Sequence, residues 1–129
     1  MNRYMVCLDG SDLSDRAFSW VKELAECDES KKTEIFLFHV EEKKSDHKFK
    51  SLDEYSDMLN TKSIKNHKLL IKGKESIKDA IIKETENNKI DLVVLGHEDK
   101  NKLQRIMDGR GSVCEYLLKN MDTPLLIFK

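Results

Sequence analysis

The apolar runs IFLFHV (35–40) and IDLVVL (90–95) carry almost no polar alternation. A strand with one wet face alternates apolar and polar residues, whereas a nearly continuous apolar strand must be covered on both faces. A third run, YMVCL (4–8), ends at Asp9, Gly10 and Ser11, and a fourth, LLIF (125–128), follows Pro124. A weaker one, KLLIK (68–72), is closed by Gly73. Between these runs the periodicity changes from strand to helix. Leu13, Ala17, Val21, Leu24 and Ala25 recur at helical spacing behind the first run, and Phe18 and Trp20 widen the stripe. Ser11 is a fitting N-cap there, with Asp12 and Asp15 at the positive end of the helix. Ile77, Ala80 and Ile81 start a second strong helical pattern, which closes at Asn87 and Asn88. A last one lies over 112–121, with Val113, Tyr116, Leu117 and Met121 on one face. In the mixed-charge stretch 41–66, Leu52, Tyr55, Met58 and Leu59 suggest a short helix.

Alternating strands and helices of this kind predict an α/β fold, a parallel sheet with helices on both faces. The expectation is one domain over 1–129, because neither flank of 41–66 could bury its strands alone. In such sheets ligands bind beyond the carboxyl ends of the strands, where the strand order reverses. Two strands end in glycine-containing loops, the first at Asp9, Gly10 and Ser11 and the fourth at Gly96.

The rest of the sequence removes several function classes. A net charge of −1 gives no global pull toward nucleic acid or a membrane surface. The opening MNRYMVCLDGSD lacks the roughly 7–15-residue apolar core of a secretory signal. No run approaches the roughly 18 apolar residues of a membrane span. Cys7, Cys27 and Cys114, an odd number at unpatterned spacing, read as reduced and mostly buried thiols, so the expected location is cytoplasmic. His39, His47, His67 and His97 show no metal-ligand spacing with one another or with the cysteines, and no structural metal site is expected. There is no GxxxxGK[ST] loop for phosphoryl transfer, and nothing in the residues compels an enzyme.

VCLDGSDLSDRAFSW, FLFHV, GKESIKDAI, IDLVVLGHED and GSVCEYLLKNMDTPLLIFK resemble, in order and spacing, the universal stress protein family. The resemblance covers nearly the whole chain. It implies a Rossmann-like, open five-stranded parallel sheet of order 3-2-1-4-5, which sets the first and fourth strands side by side. Nucleotide-binding members carry Gly-x2-Gly-x9-Gly-Ser/Thr after the fourth strand. Gly96 matches the first glycine, and Gly111 with Ser112 matches the closing pair. Asp99 stands where the second glycine belongs, and the stretch from there to Gly111 is longer than in the family's pattern. A count of nine lands on Gly109 and puts Arg110 at the hydroxyl position; Gly111 and Ser112 keep SVCEYLL in helical phase.

By this resemblance, Asp9, with Gly10 and Ser11, and the backbone at Val40 would hold the adenosine end of a nucleotide. Gly96, His97, Gly111, Ser112 and Val113 would cradle its phosphates. Glycines admit backbone N–H groups to phosphate oxygens, and a helix start adds free N–H groups and a positive dipole. Each residue also has a plain structural reading. Asp9 could simply cap the first helix with Ser11, Ser112 could be an ordinary N-cap, Gly96 could only end a strand, and His97 could be a surface histidine. Lys100, Lys102, Arg105 and Arg110 could neutralise phosphates or form a solvated loop with Glu98, Asp99 and Asp108.

Three functions follow as expectations. The first is a small cytosolic nucleotide-binding module of a stress response, ATP its ligand, acting by conformation or assembly. Asp99 could then take a Mg²⁺ shared with the phosphates. The alternative is a dimeric stress-associated interaction protein that binds no nucleotide. A third is a slow ATPase or self-phosphorylating protein, for which the residues offer no recognisable base. A homodimer through the last strand, 125–128, is expected, because an apolar edge with unpaired backbone groups needs a cover.

Overall fold

The structure is a computed structural model that describes residues 2–41, 51–72, 75–96 and 113–129. Its elements run β1 (Arg3–Cys7), α1 (Asp12–Glu26), β2 (Glu34–Val40), α2 (Leu52–Thr61), β3 (Lys65–Ile71), α3 (Ile77–Asn87), β4 (Leu92–Gly96), α4 (Val113–Asn120) and β5 (Leu125–Phe128). The five strands form one sheet of order β3-β2-β1-β4-β5, and every pairing is parallel. The expected fold class and strand order are therefore observed.

The continuous apolar runs are explained by two cores, one on each face. Val6, Ile35, Leu37 and Val94 meet Ala17, Phe18 and Val21 of α1 and Leu52, Tyr55 and Leu59 of α2. Their sequence neighbours Met5, Phe36, Phe38, Val93 and Leu95 point the other way, onto Ala80 and Ile81 of α3 and Cys114 and Leu117 of α4. Val93 and Val94 are both fully buried, as a central strand covered twice requires. Among the described residues, no helix is long and apolar enough to cross a membrane.

The differences from expectation lie at element ends and edges. β3 begins earlier, at Lys65, because its register against β2 starts at Glu34. β4 begins later, at Leu92, because Asp91 turns its carboxylate onto the Asn2 and Arg3 N–H groups, 3.0 Å from each. In α2 the inward position passes from Met58, which is exposed, to Ser56, whose hydroxyl donates to Asn66. Trp20 does not join the buried stripe of α1; its ring stands edge-on to Phe128 of β5 at 6.2 Å. Tyr116 lies at the rim of the α3–α4 contact, where its hydroxyl donates to Asp79. Of the three cysteines, Cys114 is buried, Cys7 is partly covered and Cys27 is exposed, so the expected burial does not hold for Cys27.

Candidate functional site

The switch point between β1 and β4 is a notch made by unequal strand lengths. The β1–β2 register ends at Cys7 and Phe38, and the β1–β4 register ends at Val6 and Val94. On the outer sides the neighbours run on, β2 with β3 to Val40 and Ile71, and β4 with β5 to Gly96 and Phe128. The Glu41 N–H extends the β2–β3 pairing by one more bond, 3.0 Å from the Ile71 carbonyl. β1 thus stops short between two longer strands, and the carboxyl ends at Val40 and Gly96 flank the gap.

The floor of the notch is the turn that takes β1 into α1. Asp9 is exposed, and its Oδ1 accepts from the Ser11 N–H at 2.9 Å. Gly10 follows with φ of 85°, in the left-handed region that a Cβ disfavours. Ser11 is itself the N-cap, its Oγ accepting from the Ser14 N–H at 3.2 Å. In the capping reading, the work divides between two residues: Ser11 caps the helix, and Asp9 braces the cap with one oxygen. The Ser11 bond engages one oxygen of a carboxylate on an exposed residue. A carboxylate oxygen so placed can accept from an amino group or a sugar hydroxyl.

Gly96 has a packing role that spacing alone does not reveal. A Cβ at this position would lie 2.7 Å from Leu13 Cβ, 3.0 Å from the Leu13 carbonyl carbon and 3.1 Å from the Ser14 nitrogen. The first turn of α1 is seated directly on the end of β4. The carboxyl end of β4 at Gly96 therefore lies beside the amino end of α1, where the helix dipole favours an anion. Val113 opens α4 and packs half-buried on the second core. His97, Asp99, Gly111 and Ser112, with the basic residues between them, lie outside the described residues.

The environment of the notch has further particulars. Desolvation, with added repulsion from Asp9 and Cys114, pushes the Cys7 thiol well above the usual cysteine range, so this sulfur packs rather than reacts. Asp15, in the first turn of α1, accepts from the Tyr55 hydroxyl at 2.6 Å and ties α2 to the same end of the sheet. His39 Nδ1 lies 2.7 Å from the Leu8 carbonyl oxygen, across the point where β1 leaves β2. Neither contact was read from the sequence. The signal for His39 is its place as the one polar residue in IFLFHV, immediately before the last residue of that run. An open groove of about 390 Å³ lies elsewhere, on the outside of α1 against β5, lined by Arg16, Trp20, Glu23 and Phe128 among others.

A five-stranded parallel sheet of order β3-β2-β1-β4-β5 with helices on both faces defines the class of doubly wound α/β folds. The sequence matches the model of the universal stress protein family over residues 1–129, and the chain belongs to that family. Solved structures with the same fold include a universal stress protein family protein from Arabidopsis thaliana with AMP bound, at 17% identity and TM-score 0.72, covering 100% of this chain and 92% of that one. Another is the universal stress protein from Archaeoglobus fulgidus in complex with dAMP, at 15% identity and TM-score 0.68, covering 100% and 98%. A third, from Burkholderia pseudomallei, has 16% identity and TM-score 0.71, covering 98% and 95%. No curated protein matches the sequence.

Proposed function

We propose that this chain is a cytoplasmic adenine-nucleotide-binding module of a stress response, with ATP its ligand, acting by conformation or assembly rather than turnover. The observation that carries this reading is the notch itself. β1 ends short of Val40 and Gly96, and an exposed carboxylate, Asp9, stands on its floor. Relatives of the same fold with AMP and dAMP bound support the adenine class. In this reading Asp9, Gly10, Ser11 and the Val40 backbone receive the adenosine, and Gly96, His97, Gly111, Ser112 and Val113 receive the phosphates.

Asp99 favours the second reading, a family member that keeps the fold and binds partners without nucleotide. A carboxylate a few ångströms from a phosphate repels it by roughly 1 kcal/mol in water, and by more where the dielectric is lower. A Mg²⁺ held between Asp99 and the phosphates would remove that repulsion. Calorimetry with AMP and ATP, with and without Mg²⁺, on the native chain and on Asp99→Gly separates the two. Mg²⁺-strengthened ATP binding by the native chain supports the first reading. Binding only in Asp99→Gly supports the second, and no binding in either variant overturns the nucleotide proposal.

The same module is proposed to work as a homodimer through β5. The two edges of the sheet differ: β3 presents Lys65 and Lys68 along with an exposed Leu70, whereas β5 is Leu-Leu-Ile-Phe, carries no charge and is half-buried throughout. Charged residues protect an edge against pairing, and an apolar edge invites it.

A further inference from the structure

We propose that His39 is a positioning residue for the nucleotide site: its imidazole holds the end of β1 so that the Asp9–Ser11 turn is presented to the notch. The inference rests on the nucleotide reading for its functional meaning, although the tether itself belongs to the fold.

Opening a notch in a parallel sheet exposes a problem of backbone polarity. The Leu8 N–H still donates to the Phe38 carbonyl at 2.8 Å, just past the end of the β1–β2 register. β2 then follows β3 out to Val40 and Glu41, and β1 turns into Asp9. Leu8 is only 3% exposed, so its carbonyl at this parting has little access to water. A buried carbonyl without a donor is costly, and such groups are found paired. The Nδ1 of His39, at 2.7 Å, supplies the donor. A carbonyl oxygen only accepts, so Nδ1 carries the proton, and the neutral ring is the Nδ1–H tautomer.

The side chain thus replaces the ladder at the one place where the ladder must stop. The next residues after Leu8 are the exposed carboxylate, the glycine of positive φ and the cap of α1. His39 is followed directly by Val40, whose backbone borders the notch on the opposite side. One hydrogen bond therefore ties the Val40 side of the notch to its floor, on the adenosine side of the proposed site.

The test uses the full chain and two variants. His39→Asn keeps an N–H donor near the position of Nδ1, and His39→Leu removes it. Amide hydrogen exchange of the ligand-free protein is followed at Asp9, Gly10 and Ser11, AMP affinity is measured by calorimetry, and long-range proton–nitrogen spectra at alkaline pH report the tautomer. The expected results are an Nδ1–H tautomer in the native chain and faster exchange at 9–11 in His39→Leu, with AMP binding weakened about tenfold. His39→Asn should restore both exchange and affinity toward native values. An Nε2–H tautomer, native exchange in His39→Leu, or an Asn variant as impaired as the Leu variant would each overturn the proposal. If the native chain binds neither AMP nor ATP with Mg²⁺, the nucleotide reading fails, and tautomer and exchange still decide whether His39 tethers the turn. Should His39→Leu not fold, the tautomer and the Asn variant carry the decision.

Discussion

Gly96, at the end of β4, and Leu13, in the first turn of α1, are in direct contact, and a Cβ on the glycine would sit 2.7 Å from the leucine Cβ. The first glycine of the loop motif is thus required by the packing of apolar and backbone atoms before any phosphate is considered. Gly96→Ala should destabilise the fold by about 1–3 kcal/mol, the usual cost of inserting a methyl group into a close contact. The obstacles are a Cβ and backbone atoms, which have no rotamer to move to. Urea denaturation at neutral pH measures it, and a native midpoint in the alanine variant would show that α1 shifts without cost.

Tyr55→Phe tests the bond that ties α2 to α1. The hydroxyl donates to Asp15 Oδ1 at 2.6 Å, and the ring meets Phe18 edge-on at 4.9 Å. Desolvation and the Asp15 bond both push the phenol above the usual tyrosine range, so it stays a donor at neutral pH. The variant keeps the ring contact and loses the hydrogen bond to the Asp15 carboxylate. A loss of about 1–2 kcal/mol in the denaturation free energy is expected.

Asp91 gives the fold an acid-sensitive seam. The Asn2 and Arg3 N–H bonds hold its carboxyl below the usual aspartate range, against the desolvation that acts to raise it. A folded value below the unfolded one means that stability is present at neutral pH and is lost as pH falls through the folded value. Asp91→Asn should therefore be less stable than the native chain at pH 7, by about 1 kcal/mol, and the two should converge as pH falls through the lowered folded value. Parallel denaturation curves at all pH values would count against this role.

The proposed dimer should be visible through the single tryptophan. Trp20 stands in the groove against Phe128, beside the apolar edge of β5. A partner strand added to that edge would cover the indole further. Diluting the protein should shift its emission to the red, in step with a fall in sedimentation coefficient. Constant emission and a monomer at micromolar concentration would remove the dimer.

Much of the architecture was legible because it follows from local periodicity. In 35–40, Ile35 and Leu37 face one core while Phe36 and Phe38 face the other, so a run without polar alternation had to be covered twice. The helical spacing of Ala17 and Val21, or of Ala80 and Ile81, likewise encodes a buried stripe that any neighbouring sheet would receive. Trp20 and Met58 fit the same patterns and yet lie outside, because the width of a buried stripe depends on the partner element, which spacing does not specify.

The turn residues Asp9, Gly10, Ser11 and Gly96 were recognisable by type, since carboxylates, hydroxyls and glycines do particular work at strand and helix ends. Their division of labour was decided only by tertiary structure. That Ser11 caps while Asp9 braces depends on the geometry of one turn, and that Gly96 must lack a side chain depends on Leu13, a residue far away in the chain. The His39–Leu8 bond exists because β1 ends before β2 does, and relative strand length is a property of the assembled sheet. Sequence patterning specifies which face each residue turns toward the core. Contacts between distant segments, set by how those faces are stacked and where each strand stops, specify the site.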